Sequence, residues 1–314
     1  MFDFPIALRV ASRRDLTPSV VEFTLAHADG AALPPFTAGA HLTLRTPSGA
    51  MRRYSLVNEG TAPTEYVIAV KRERESRGGS QSMHDAALPG VTLEVTELEN
   101  SFTLTEAPDY LLVAGGIGIT PLYAMAQELE RRGKSFTLIY CTRSAEETAY
   151  RENLTQAFGT GVHFHHDQGD PAQVYDFWDH FAEPRPQHVF CCGPKPLMEE
   201  IAALTGHWPE GRVHFEEFRP VEIVRATDQA FEVELKRSGR VVNVPADRSI
   251  LEALRDAGER TVSSCESGTC GTCKTRLLAG DADHRDMVLM DEEKPSHIMI
   301  CVSRSQGGRL LLDL

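Results

Sequence analysis

The sequence predicts a multi-domain chain: an antiparallel β-barrel, a doubly wound parallel α/β domain and a small C-terminal α+β domain. Three observations predict it. Up to residue 106 the chain breaks into short β-rich runs divided by turn signals. From residue 107, apolar runs alternate with helical patterns, the rhythm of a parallel sheet covered by helices. Near the carboxyl end Cys265, Cys270 and Cys273 take the spacing C-x4-C-x2-C, and Cys301 answers them from downstream. The predicted domain boundaries are 1–106, 107–224 and 225–314.

A chain of 314 residues exceeds the usual size of one domain. With 41% hydrophobic and 25% charged residues it has the composition of an ordinary globular protein, which argues against long disordered spans. Its first residues, Met1-Phe2-Asp3-Phe4-Pro5, lack the basic segment and apolar run of a secretory leader. No stretch approaches ~18 consecutive apolar residues, the length that spans a bilayer. The expectation is a cytoplasmic protein without a membrane segment. A net charge of −13 argues against nucleic acid as a partner, because phosphate binding needs a basic face.

In the first domain, strands are expected at 6–10, 20–25, 41–46, 54–58, 66–71 and 91–97. Asp29-Gly30, Pro47-Ser48-Gly49 and Pro89-Gly90 mark turns between them. Many short strands at this spacing suit a closed or nearly closed barrel. Arg52-Arg53-Tyr54-Ser55 opens a strand, so Arg52 and Tyr54 share one face, and Arg53 and Ser55 the other. Arg77-Gly78-Gly79-Ser80 precedes a helix expected from near Ser82. A guanidinium, consecutive glycine amides, a hydroxyl and a helix N-terminus make a phosphate cradle. Taken alone, the same tetrapeptide is equally a surface turn. Lys71, Arg72 and Arg74 read as a solvated strand face.

In the second domain, the apolar run 110–114 leads into Gly115-Gly116-Ile117-Gly118-Ile119-Thr120-Pro121 and a helix through Leu129. Thr120 suits the N-cap, Pro121 the first helical position and Gly133 the stop. Strand 135–141 precedes a helix near 146–157, and strand 162–166 a helix near 171–181. Strand 188–192 meets Gly193-Pro194 and a helix through Leu204. The glycine turn departs from the dinucleotide fingerprint G-x-G-x-x-G, because Pro121 holds the third glycine's place. Amides at a helix N-terminus still suit a diphosphate. Cys192 ends a buried strand at the edge where such folds bind ligands. From sequence alone, Cys191 and Cys192 are equally two small buried thiols, and Cys141 reads as core. His163, His165 and His166 lie on a strand and read as surface positions rather than a metal site.

The stretch 219–228 reads as a linker; 231–235 and 241–244 form a hairpin around Ser238-Gly239, and 249–257 a short helix. The four cysteines then have the plant-type spacing for a [2Fe–2S] cluster. Two irons bridged by two sulfides need two thiolates each, so a short loop wraps the cluster while a distant segment closes the far side. Gly268 and Gly271 let that loop pass close, having no Cβ in the way. Structural zinc usually presents two C-x2-C knuckles, and only one is present. Seven cysteines are an odd number for a disulfide set.

Arg-x-Tyr-Ser (Arg52, Tyr54, Ser55), the Gly-Gly-Ile-Gly-Ile-Thr-Pro turn, Cys192-Gly193-Pro194 and the C-terminal cysteine loop occur in one order. In this the chain resembles, over essentially its whole length, the phthalate dioxygenase reductase family of the ferredoxin–NADP reductase-like superfamily. The resemblance implies FMN in the barrel, NADH as electron donor, and a plant-type ferredoxin (β-grasp) fold for the last domain. By that likeness Arg52 pairs with the flavin phosphate, Tyr54 packs on the isoalloxazine and Ser55 hydrogen-bonds near N5. Arg77, Gly78, Gly79 and Ser80 hold the phosphate; Arg53 has no role. No segment is assigned to an adenine half, which favours FMN over FAD. Gly115, Gly116 and Gly118 take the nucleotide diphosphate and ribose, with Thr120 near the nicotinamide. Cys192, with Gly193 and Pro194, orients the nicotinamide C4 side, and Phe218 covers the flavin face. Arg143 and Ser144 would favour a 2′-phosphate, whereas Asp167 and Asp170 would repel one; the family precedent decides for NADH. Cys265, Cys270, Cys273 and Cys301 hold the cluster.

The implied function is the reductase component of a Rieske-type oxygenase system. Hydride passes from NADH to FMN, and electrons leave one at a time through the cluster to the terminal oxygenase. The alternative is a stand-alone diaphorase reducing quinones, ferric chelates or other small acceptors. A non-enzymatic module holding zinc is a third reading.

Overall fold

The computed structural model describes residues 4–73, 78–218, 225, 227–263, 268, 271–286 and 288–314. They form two compact units, divided between Phe215 and Glu216.

The first unit begins with β1 (Ile6–Thr17), β2 (Val20–Ala26), β3 (His41–Arg45), β4 (Met51–Ser55), β5 (Glu65–Lys71), α1 (Gly79–Ala86) and β6 (Thr92–Glu99). The strands make one antiparallel sheet in the order β4-β3-β6-β1-β2-β5. Its outer strands meet at one end: Leu56 bridges Ile68, and Val57 N–H donates to Val67 O at 2.9 Å. Alternation along the strands turns Leu8, Val10, Phe23, Leu25, Leu42 and Leu44 into a common core. Strand β1 runs well past the apolar stretch that announces it. Residues 11–15 are mostly exposed and polar, and they pair with β2 across a bulge, Arg14 donating to Glu22 at 3.0 Å. The fourth strand lies earlier than expected, and Arg52-Arg53-Tyr54-Ser55 ends it instead of opening it. The reason is the crossing to β5: Leu56 still donates to Ala40 O at 2.9 Å, but it and Val57 also pair with Ile68 and Val67. Helix α1 likewise begins at Gly79, three residues before the expected start, with Gly78 as N-cap at φ 89°.

The unit continues with β7 (Tyr110–Gly115), α2 (Ile119–Arg131), β8 (Phe136–Thr142), α3 (Arg151–Phe158), β9 (Val162–His166), α4 (Trp178–Phe181), β10 (His188–Cys192), α5 (Lys195–Thr205) and β11 (Val213–Glu216). The sheet order is β11-β10-β7-β8-β9, with β10, β7, β8 and β9 parallel. The chain steps outward from β7 to β9 and then returns to β10 on the other side of β7. The switch in direction therefore falls at the carboxyl ends of β7 and β10. Helix α2 lays Leu122, Met125 and Leu129 on the sheet beside Tyr110, Leu112 and Leu138. It stops as its glycine predicts: Gly133 N–H reaches Glu130 O at 3.0 Å and Lys134 N–H reaches Leu129 O at 2.9 Å, with Gly133 at φ 64°.

Two expectations fail here. Gly118, not Thr120, is the N-cap of α2, and Thr120 Oγ1 donates backward to Ile117 O at 3.1 Å. The preceding 3-10 turn Gly116–Gly118 has already begun the helical path. The helix expected near 171–181 is broken into a 3-10 turn, Pro171–Gln173, and the single turn of α4.

The second unit holds β12 (Phe231–Leu235), β13 (Val241–Val244), α6 (Ile250–Asp256), β14 (Lys274–Ala279), β15 (Ala282–Asp283), β16 (His297–Met299), β17 (Arg304–Ser305) and β18 (Leu310–Leu312). The main sheet runs β13-β12-β18-β14-β16, with β12 and β18 parallel and its other neighbours antiparallel. Ser249 and Glu252 close a capping box on α6, which buries Ile250, Leu251 and Leu254. Beneath this sheet Arg285 grips Asp228 with both terminal nitrogens, at 2.8 and 2.6 Å, and Arg304 Nε lies 3.3 Å from the same carboxylate. Among the described residues no helix is long and apolar enough to cross a membrane.

Candidate functional site

Three clusters of side chains correspond to the three predicted chemistries. On the barrel, register puts Arg52 opposite Leu44 and Tyr54 opposite Leu42, while Arg53 faces Thr43 and Ser55 faces His41. The Arg52 guanidinium lies over the amino end of α1: a Cβ on Gly79 would stand 2.7 Å from its Nε and 3.0 Å from its Cζ. Only a glycine lets a cation sit against the first amides of the helix. Ser80, mostly buried, accepts from Glu73 N–H at 3.2 Å, and Gly78 takes the left-handed φ that aims the turn. Thus Arg52, Gly78, Gly79 and Ser80 come together; Arg77 lies outside the described residues.

Beyond this cradle, β3 and β4 bury polar groups that the protein leaves unpaired. Tyr54 Oη, Ser55 Oγ, His41 Nε2 and Thr43 Oγ1 are inaccessible and have no hydrogen-bond partner among the described residues. Such groups cost about 1–3 kcal/mol each unless something completes them. Burial raises the Tyr54 phenol to about 12 and lowers the His41 imidazole to about 4, the Arg53 charge adding to the latter. Both stay neutral at pH 7. A cation over helix amides and unmet neutral polar groups on one hairpin, Tyr54 on the Arg52 face and Ser55, His41 and Thr43 on the other, suit a phosphate-bearing, polar-edged ligand such as FMN. Sequence reasoning missed His41, since nothing local shows that it stands beside Ser55; that follows only from the β3–β4 register.

At the sheet's switch point the glycines are steric necessities. A Cβ on Gly115 would lie 2.5 Å from Pro194 Cδ, one on Gly193 2.9 Å from Gly115 Cα, and one on Gly118 2.1 Å from Cys192 O. Gly115, Gly116, Gly118, Cys192, Gly193 and Pro194 therefore form one interlocked edge, with Gly116 at φ 54° facing open space. Thr120 is buried, and Cys191 and Cys192 are both fully buried. Burial pushes the thiol of Cys191 up, which suits packing and not nucleophilic chemistry. Cys141 is half-buried, its thiol raised to about 12 by burial. Asp167 and Asp170 follow β9, and Asp170 caps the next turn by accepting from Ala172 N–H at 2.9 Å. His165 and His166 are engaged by Gln173 O at 2.6 Å and Thr142 Oγ1 at 2.9 Å, and the described residues hold no metal-ligating group of three.

In the second unit Cys273 and Cys301 are 3% and 1% exposed. Lys274 pairs with Met299 at the end of the β14–β16 ladder, so the two cysteines emerge from the same end of it. Gly268 and Gly271 have φ 76° and 78°, and a Cβ on Gly268 would stand 2.7 Å from Val302 Cγ2. Two buried cysteines, with Gly268 and Gly271 in left-handed conformations, fit an iron–sulfur centre. Cys265 and Cys270 lie outside the described residues. Phe218, 40% exposed, belongs to this second unit.

Comparison with known proteins follows the same division. The model of the 2Fe-2S iron-sulfur cluster binding domain matches residues 233–306, and that of the oxidoreductase NAD-binding domain residues 112–203. The phthalate dioxygenase reductase of Burkholderia cepacia is 49% identical over 313 residues, covering 98% of this chain and 97% of that protein. The phthalate 4,5-dioxygenase oxygenase reductase subunit of Pseudomonas putida is 49% identical over 98% of this chain and 96% of its own. Among solved structures, a phthalate dioxygenase reductase, described as modular for electron transfer from pyridine nucleotides to [2Fe-2S], superposes with a TM-score of 0.70. It shares 48% identity and covers 99% of this chain and 98% of its own. An intact type IV self-sufficient cytochrome P450 monooxygenase also superposes, at TM-score 0.73 and 34% identity, over 99% of this chain and 41% of its own. The chain belongs to the phthalate dioxygenase reductase family, the flavin- and [2Fe–2S]-containing reductases of oxygenase systems.

Proposed function

We propose that this chain is the reductase component of a Rieske-type oxygenase system, taking electrons from NADH and delivering them to the terminal oxygenase. It is an NADH-dependent flavin and iron–sulfur oxidoreductase. The observation that carries the flavin assignment is the Arg52 guanidinium seated on Gly79 beside a hairpin of buried, unpaired hydroxyls.

Bound there, FMN supplies the exchange between a two-electron hydride donor and the one-electron [2Fe–2S] centre. The chain's own residues bind and orient. Arg52, Arg77, the amides of Gly78 and Gly79, and Ser80 neutralise the phosphate. Tyr54 and Ser55 offer neutral hydroxyls to the ring, so the site does not change charge at neutral pH. Gly115, Gly116 and Gly118 admit the nucleotide diphosphate, while Thr120, Cys192, Gly193 and Pro194 orient the nicotinamide. Cys192, buried beside the close approach of Gly118, orients by packing. Cys265, Cys270, Cys273 and Cys301 hold the cluster. The reading places the flavin domain in 1–106, the NADH domain in 107–224 and the ferredoxin domain in 225–314.

The relatives named for toluene-4-sulfonate, phenoxybenzoate and vanillate systems support an oxygenase partner. The test is anaerobic titration of the holoprotein with NADH, followed by mixing with the oxygenase component of a phthalate dioxygenase. NADH consumption coupled to substrate oxygenation is expected. Full turnover with ferricyanide and none with any Rieske oxygenase would point to the diaphorase instead.

A further inference from the structure

Tyr140 does something that the nucleotide site as so far described leaves out. It is fully buried on β8, opposite Ala114 of β7, with its ring against Phe164. Its hydroxyl donates to Gly116 O at 3.0 Å and accepts from the backbone of Ala149. One phenol thus ties the glycine turn after β7 to the connection that follows β8. That connection is itself knitted: Thr148 Oγ1 donates to Ser144 O at 2.9 Å and lies 2.8 Å from Thr142 Oγ1.

The consequence follows from peptide geometry. In a planar trans peptide the C=O of one residue and the N–H of the next point in opposite directions. Holding Gly116 O down toward Tyr140 turns the Ile117 N–H the other way, out of the sheet. Thr120 acts alike on the next peptide, its Oγ1 on Ile117 O at 3.1 Å directing the Gly118 N–H outward. Gly116 stands at φ 54°, a conformation that no steric contact enforces, since nothing lies within 4 Å of its missing Cβ. Two hydrogen bonds to Gly116 O hold the turn, the Ile119 N–H from within it and the Tyr140 hydroxyl from β8.

We propose that the Tyr140 hydroxyl is a positioning group for NADH, fixing the turn 115–118 so that its amides meet the diphosphate, and coupling that turn to the 143–149 connection. This rests on reading the turn as the diphosphate site. Removing the hydroxyl leaves the chain able to fold but leaves the Gly116 carbonyl held by the Ile119 N–H alone, with the tie to β8 and the 143–149 connection gone.

The test uses the full-length holoprotein and calorimetric binding of ADP-ribose, which carries the diphosphate without the nicotinamide. Tyr140→Phe weakens ADP-ribose about tenfold, the factor that one lost hydrogen bond represents, and raises KM for NADH in proportion. The control is Tyr110→Phe, whose hydroxyl makes the same kind of pair at the opposite end of β7, accepting from Ala107 N–H at 2.8 Å and donating to Thr105 O at 3.0 Å. It loses comparable thermal stability and keeps ADP-ribose affinity within about twofold. Unchanged affinity in Tyr140→Phe, or an equal loss in Tyr110→Phe, overturns the proposal. Gly116→Val, strained at positive φ, separates the two levels. If it weakens ADP-ribose while Tyr140→Phe does not, the brace alone falls. If neither variant does, the turn is not the diphosphate site.

Discussion

The barrel and the ferredoxin unit both bury polar side chains, and they finish them in opposite ways. In the ferredoxin unit the side chains of Asp228, Arg285 and Arg304 are 7%, 2% and 1% exposed. Arg285 is shared between Asp228 and Asp283, and Arg304 donates to Arg248 O, to Gln229 O at 3.1 Å and to Pro245 O at 3.0 Å. In the barrel, the hydroxyls of Tyr54, Ser55 and Thr43 and Nε2 of His41 are buried without a hydrogen-bond partner among the described residues, Glu99 standing 3.9 Å from His41. A buried charge surrounded by its own partners is a structural fastening. Buried polar atoms without partners are what a ligand socket needs, since the folded chain carries their desolvation cost until a ligand completes them.

The comparison sharpens first at the cluster, where the loss should be complete. Cys273→Ser removes one of the four proposed thiolate ligands; the reduced protein is expected to lose its [2Fe–2S] paramagnetic signal and keep NADH-dependent flavin bleaching. A retained signal would place the ligand elsewhere. Next is the fastening. Asp228→Ala removes the carboxylate that two buried guanidinium groups share, leaving Arg285 with Asp283 and Arg304 with its carbonyls; breaking a buried pair typically costs about 3–5 kcal/mol, read as an earlier urea midpoint for the ferredoxin unit. The same carboxylate gives a pH signature. Hydrogen bonds from Arg285 hold Asp228 at about 2, below its ordinary 3.8. A depressed pKa stabilises the fold above the ordinary value, and that stabilisation, about 2 kcal/mol, is lost as pH falls toward 2. Asp228→Asn should flatten this limb of the profile; an unchanged profile would show that other carboxylates set it. Third, Gly79→Ala puts a methyl where Arg52 sits, 2.7 Å from Nε. The flexible guanidinium can swing aside, so stability should hardly change while FMN affinity falls about tenfold, measured by flavin fluorescence on dilution.

How much of this could be read in advance divides along physical lines. Chemistry carried by local spacing was legible: the cysteine loop, the strand-to-helix glycine turn, the hairpin at Ser238-Gly239 and the Gly133 stop are each fixed by a few consecutive residues. What depends on pairing was not. Strand β14 and the short strands after it alternate too briefly to announce themselves. The shift of β4 reflects where the chain crosses to β5, which its own sequence does not encode. His41 beside Ser55, and Tyr140 beneath Gly116, are neighbours only through register. Thr120 looked like a cap because its type and its proline neighbour suit one; the 3-10 turn before it moved the helix start back by two residues.

The smallest expected effect is the sharpest test of the opening contrast. Ser55 is 4% exposed and its Oγ finds no partner among the described residues. If the hydroxyl served the fold, Ser55→Ala would destabilise the apoprotein, as removing a made hydrogen bond does. If it serves the ligand, the apoprotein gains by losing an unmet polar group, and its urea midpoint should hold or rise slightly, by up to about 1 kcal/mol. FMN affinity should then fall, by about three- to tenfold for one neutral hydrogen bond. The two measurements move in opposite directions only for a socket. A destabilised apoprotein with unaltered flavin affinity would put Ser55 in the same class as Asp228 and erase the distinction between the two regions.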